Sequence, residues 1–120
     1  MLKKEDIAWG TLYTTSEDRN LQQGRRPLLL LGNDKACEYS PIISVIPLSS
    51  KHRKEKSIPT HVLIKPADTL NGKLKKDSVA LTEQLRCISK ESLIGGRVDS
   101  VNQETMNEIE KNIKLQLGIA

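Results

Sequence analysis

A chain of 120 residues, 37% apolar and 28% charged, holds one modest core and is expected to be a single domain over residues 1–120 rather than a disordered or fibrous polymer. Its longest apolar run, Pro27 to Leu31, is too short to cross a bilayer, and the opening MLKKEDIAWG lacks an apolar h-region, so neither membrane contact nor secretion is expected and the cytoplasm is the default location. Nineteen Lys and Arg against fifteen acids give a net +4, a mild preference for a polyanionic partner, and two cysteines are too few for a disulfide framework.

In chain order, IAWGTLY (7–13) predicts a strand with Ile7, Trp9, Thr11 and Tyr13 on one face and Trp9 in the core. TTSEDRNLQQGRR (14–26) predicts a polar loop. PLLLLGND (27–34) reads as a buried strand opened by Pro27, which has no N–H for a ladder, and closed by a turn. IISVIPL (42–48) is a third strand, and Pro47 inside it argues for an edge or a bulge. THVLIK (60–65) and SVALTEQLRCIS (78–89) alternate as half-buried strands, the longer one bending within Glu83–Gln84. From Asn102 the period changes: Met106, Ile109, Ile113 and Leu117 form a helical stripe, with Asn102 as N-cap and Gly118 just past the end. The expected fold is mainly β with a C-terminal helix, a small bent antiparallel sheet or barrel.

Strand ends are where such a barrel presents chemistry. Three polar groups of residues fall there: Gln22-Gln23-Gly24-Arg25-Arg26 before the leucines, Ser49-Ser50-Lys51 after the third strand, and Glu83-Gln84 with Arg86 at the bend. Arg26 stands out, because a permanently charged fork anchored by Pro27 suits phosphate oxygens. Its structural alternative is an ion pair with Glu83. His61 in a strand is ordinarily structural, with general-base work as its alternative. Basic clusters occur at 51–56 (KHRKEK) and 73–76 (KLKK), the second reading as a solvated face. Cys37, His52, His61 and Cys87 lack the close ligand pairs of a metal site.

The order Gln-Gln-Gly-Arg-Arg-Pro-Leu-Leu-Leu-Leu-Gly-Asn-Asp, then Tyr39-Ser40-Pro41, Pro47-Leu48-Ser49-Ser50, Pro59-Thr60-His61-Val62, Lys76-Asp77-Ser78-Val79 and Glu83-Gln84-Leu85-Arg86, closely resembles the MazF/PemK family of toxin ribonucleases. The resemblance implies an SH3-like barrel acting as a homodimer on single-stranded RNA, with no metal or other cofactor. It implies cleavage by 2′-hydroxyl attack to a 2′,3′-cyclic phosphate and a 5′-hydroxyl, and inhibition by a cognate antitoxin with an acidic segment. Position by position, it assigns catalysis to Arg26, Ser49 and Glu83. It assigns substrate binding to Gln22, Gly24 and Gln84, with Arg25, Ser50 and Lys51 as flanking contacts. Leu21, where the family carries an acid, and Ser49, where it carries threonine, depart from the pattern. Two other readings stand beside this one: a non-catalytic or gyrase-directed binder of the same fold, and a structural or regulatory module. The scarcity of aromatics, with Trp9 assigned to the core, predicts recognition by polar and backbone contacts.

Overall fold

The computed structural model describes residues 2–13, 21–50 and 61–119. Among the described residues seven strands are formed: β1 (Asp6–Leu12), β2 (Gly24–Leu30), β3 (Ile42–Ser49), β4 (His61–Ile64), β5 (Ser78–Leu81), β6 (Arg86–Ser89) and β7 (Leu93–Ser100). Two helices, α1 (Asp34–Tyr39) and α2 (Gln103–Leu117), complete the fold. The strands make one antiparallel sheet in the order β4-β5-β3-β2-β1-β7, with β6 added to β3.

Strand alternation explains how one thin sheet carries two apolar clusters. Leu29 and Leu31 face Ile7, Ile46, Leu48, Val62, Ile64 and Ala80, a cluster closed by Met106 and Ile109 of α2. Leu28 and Leu30 face the other way, onto Leu12, Ile43, Val45, Ile88 and Cys37. The four-leucine run is therefore buried on both faces, each side chain contributing about 1.5–3 kcal/mol of transfer free energy. Asn102 Oδ1 accepts the N–H of Thr105 at 2.8 Å, and Gly118 ends α2 in the left-handed conformation (φ 72°). Met106 and Ile109 are fully buried and Ile113 packs on the cluster, but Leu117 is exposed because the last turn of α2 runs past the core.

The two prolines depart from expectation in the same way. Pro27 does not open its strand: it is the fourth residue of β2, opposite Trp9. The β2–β3 ladder begins only at Leu28↔Pro47, so Pro27 has a strand neighbour on one side alone. Pro47 lies inside β3, which is not an edge but pairs with three strands. On the side away from β2, β3 pairs with β6 up to Val45↔Arg86 and with β5 from Leu48↔Ala80, and Pro47 falls in the gap. Each residue without an N–H thus sits where the ladder is interrupted.

Three further differences concern element bounds. Residues 24–26 belong to β2 rather than to the preceding loop. The expected strand over 78–89 is two strands, β5 and β6, separated by a 3-10 turn at Thr82–Gln84, so the bend lies where Glu83–Gln84 marks it. β7 and the short α1 carry no strong sequence pattern, β7 because Gly95-Gly96 interrupts its alternation.

Candidate functional site

The site forms where β2 and β3 part. Their register, Leu28↔Pro47 with antiparallel continuation, sets Arg26 opposite Ser49 two residues beyond the last ladder pair. There β2 keeps only β1, with Gly10↔Arg26, while β3 turns to β5 through Ser49↔Val79. Alternation places Arg26, Ser49 and, through His61↔Leu81, His61 on the same face of the sheet. Ser49 is buried at 3% exposure and Arg26 is half-buried. Arg26 Nε donates to the carbonyl of Gln23 at 3.1 Å, which ties the guanidinium to the strand's own entry. The expected alternative, an Arg26–Glu83 ion pair, is not formed.

Glu83 instead pairs with His61. The 3-10 turn brings Glu83 Oε1 to 2.8 Å from His61 Nε2, with side-chain exposures of 23% and 6%. The second carboxylate oxygen, Oε2, is buried with no hydrogen-bond partner among the described residues. In the same turn, Gln84 Oε1 accepts the backbone N–H of Gln22 at 2.7 Å, tying the segment before β2 to the turn that carries Glu83. Gln22 Oε1 is likewise buried without a partner among the described residues. Arg86, the first residue of β6, donates to the carbonyl of Tyr13 at 2.9 Å, holding the chain just past β1 to the start of β6.

Of the residues singled out by sequence, the register sets Arg26 opposite Ser49, while side-chain contacts join His61 to Glu83 and Gln84 to the backbone of Gln22. Gly24 opens β2 with φ 82°, a conformation that strains any side chain, and faces open space. Arg25 projects to the opposite face, its guanidinium 5.6 Å from the Trp9 ring centroid. Ser50 borders a cavity beside it. Lys51, His52 and the rest of the first basic cluster lie outside the described residues. Trp9 corrects the sequence reading: it is 39% exposed, because its face of β1 continues beyond Ile7, the last residue on that face to meet the core. The His61–Glu83 contact was not legible from spacing, since 22 residues separate the partners.

Three perturbed groups lie outside this cluster, one of them Lys4, whose ammonium the hydrogen-bonded Glu110 carboxylate holds above its ordinary value. Burial pushes the Cys37 thiol up from its ordinary value, which suits a packed side chain rather than a nucleophile. Burial would also raise the Asp99 carboxyl, but the N–H groups of Lys73 (2.7 Å), Ser100 (2.8 Å) and Asn71 (2.9 Å) outweigh it and hold the group below the usual carboxylate range. No three His, Cys, Asp or Glu residues converge among the described residues. No described helix is long and apolar enough to cross a membrane.

Comparison with known proteins supplies the context. The family model of the PemK-like, MazF-like toxin of type II toxin–antitoxin systems matches residues 3–117. Endoribonuclease MazF of Staphylococcus saprophyticus is 36% identical over 119 residues, covering 99% of this chain and 93% of that protein. Among solved structures, an endoribonuclease in complex with its cognate antitoxin from a mycobacterial species superposes with a TM-score of 0.76 at 21% identity, covering 100% of this chain and 98% of that one. MazF of Deinococcus radiodurans superposes with a TM-score of 0.76 at 19% identity, covering 98% and 97%.

Proposed function

The chain belongs to the PemK-like, MazF-like toxin family of type II toxin–antitoxin systems, and we propose that it is an endoribonuclease cutting single-stranded RNA through Arg26, Ser49 and the His61–Glu83 pair. The observation that carries this reading is that Arg26 and the buried Ser49 stand opposite each other where β2 and β3 part, on the sheet face that also carries His61, itself paired with Glu83. The substrate phosphate lies against Arg26, with the Ser49 hydroxyl donating to a phosphate oxygen. The 2′-oxygen attacks phosphorus, forming the 2′,3′-cyclic phosphate as the bond to the 5′-oxygen breaks. Glu83 Oε2 accepts the 2′ proton while His61 holds the carboxylate in place. The 5′-oxygen takes a proton from solvent, and Glu83 returns its proton to solvent.

Arg26 stabilises charge rather than moving protons, because a guanidinium is a permanent cation and five-fold donor rather than a proton shuttle. Its task is the extra negative charge of the pentacoordinate transition state. Gln22 is assigned to substrate contact in the same proposal, and Gln84 accepts its backbone N–H. A cognate antitoxin belongs to the same proposal, supported by the antitoxin-bound neighbour of this fold, and the proposal extends to a homodimer and to an acidic segment in that antitoxin. The test is cleavage of a long mixed-sequence RNA in EDTA beside Arg26→Ala and Ser49→Ala. Discrete cuts with 5′-hydroxyl ends that both variants lose support the assignment. A folded protein that cuts no RNA shifts the reading to binding alone.

A further inference from the structure

The second basic cluster, whose sequence reads as a solvated face, is built into a cleft. A cavity of about 520 Å³ opens at the split between β2 and β3, where Arg26, Pro27, Leu48 and Ser50 line it. It extends across the face opposite His61, between Trp9 with Arg25 on one side and Lys73, Lys75 and Lys76 on the other. Five cations line it and no carboxylate among the described residues does, in a protein whose whole net charge is +4. Such a concentration has a field well beyond that of scattered surface lysines.

The loop that carries the lysines is not left to solvent. Leu70 N–H bonds the carbonyl of Ser100 at 2.8 Å, and Thr69 bridges to Val101. The N–H groups of Asn71 and Lys73 both end on the buried carboxylate of Asp99. Leu74, between the lysines, packs against the core. The backbone is thereby pinned while the Lys73, Lys75 and Lys76 side chains stay exposed around the opening. Across from them Arg25 lies over Trp9, offering a flat cationic surface beside an aromatic one.

We infer that this cleft is the track for the single-stranded RNA flanking the cut site: Lys73, Lys75 and Lys76 pair with successive phosphates, and a base stacks on the Arg25–Trp9 platform. The inference rests on the proposed ribonuclease function, because Arg26 borders both the split and the cleft. A strand leaving the scissile phosphate there meets the cavity directly. Spaced cations paired with a stacking surface are the general means of holding single strands without reading sequence. These residues act on binding and position, not on the reacting atoms.

Trp9 is the only tryptophan in the chain, so its emission reports occupancy of the track. The experiment titrates the full chain with a mixed-sequence 2′-O-methyl RNA, which binds without being cut, across a range of salt. Trp9 emission is expected to change on binding. The triple variant Lys73→Gln, Lys75→Gln, Lys76→Gln is expected to flatten the plot of log affinity against log salt by about 2, three phosphates at roughly 0.7 each. Taking the electrostatic part to vanish near 1 M, that is about a hundredfold weaker binding at 0.1 M. Against cleavable RNA the deficit appears in KM, and the corresponding triple change to arginine restores it. An unchanged thermal midpoint confirms that the variant is folded. RNA bound with Trp9 emission unmoved and the wild-type salt slope kept by the triple variant overturns the track and leaves cleavage at Arg26 standing. Failure of the wild-type protein to bind or cut any RNA removes the proposed function and the track together. An acidic peptide that moves Trp9 emission where RNA does not makes the cleft a protein-binding surface and overturns the inference.

Discussion

Replacing Arg26 tests whether the site works by charge stabilisation, and the structure sets the size of the effect. Arg26→Ala removes a donor aimed at the developing phosphorane charge, so kcat should fall about 10²–10³-fold, or ~2.7–4 kcal/mol. Arg26→Lys keeps the charge but loses the 3.1 Å bond from Nε to the Gln23 carbonyl that ties the guanidinium to the strand's own entry. That anchor is a side chain–backbone bond in a half-exposed setting, worth about 0.5–1.5 kcal/mol. Lysine should therefore sit between wild type and alanine, near tenfold down, which is ~1.4 kcal/mol. Stability should hardly move, because Arg26 makes no ion pair among the described residues and only the Gln23 bond is lost. The assay is single-turnover cleavage of end-labelled RNA at saturating enzyme, with thermal melts of each variant. An alanine variant within threefold of wild type would refute the reasoning, as would an order in which lysine is no better than alanine.

Glu83→Gln keeps a hydrogen bond to His61 but removes the proton acceptor. Its kcat should drop about 10²–10⁴-fold with the fold intact by circular dichroism, and a full-rate variant would exclude Glu83 as the base. Asp99→Asn can direct one oxygen to Asn71 and Ser100, whose N–H groups share Oδ1, but it turns an amide N–H₂ toward Lys73 N–H. The resulting buried unsatisfied donor should cost about 1–3 kcal/mol in urea unfolding at pH 7. Because the Asp99 carboxyl is held low in the folded state, its stabilisation is present above the ordinary value of about 3.9 and fades as pH falls through the lowered one. The gap between wild type and Asp99→Asn should accordingly close toward pH 2; a gap that widens there would show the sign to be wrong. Gly10→Ala would put its Cβ 2.6 Å from Leu28 Cδ1 and 3.3 Å from the Ser92 carbonyl. With Leu28 fully buried, overpacking of about 1–3 kcal/mol is expected, read as a lowered thermal midpoint.

Much of this was legible where local chemistry decides. The leucine run, the capped C-terminal helix and the bend at Glu83–Gln84 follow from burial, an N-cap side chain and a loss of alternation. Pro27 does not open its strand and Pro47, inside β3 as expected, does not mark an edge, because a proline's cost depends on whether a partner strand lies opposite it, and pairing is a property of the whole sheet. The sequence reading puts Trp9 in the core; its exposure follows from how far the core extends along β1, which only the packing of α2 and β2 determines. The candidate site divides the same way. Arg26 and Ser49 were visible as residue types at strand ends, but their opposition needs the β2–β3 register. The His61–Glu83 contact and the anchoring of Lys73 on Asp99 need tertiary contacts that no spacing encodes.

Register also explains why two adjacent arginines are not redundant. Leu28 and Leu30 must enter one cluster and Leu29 and Leu31 the other, so the phase of β2 is set by burial. Carried back two residues, that phase directs Arg26 to the face of Ser49 and His61, and Arg25 to the face of Trp9. Among the described residues the two guanidiniums share no partner: one is held by the Gln23 carbonyl, the other lies over the indole. Arg26→Gln should therefore act on kcat and leave Trp9 emission alone, whereas Arg25→Gln should act on KM and on that emission. In the double variant the losses in kcat/KM should add within about 0.5 kcal/mol. A larger coupling would mean that both arginines grip one phosphate, which places them on one face and contradicts the strand phase from which the whole site is built.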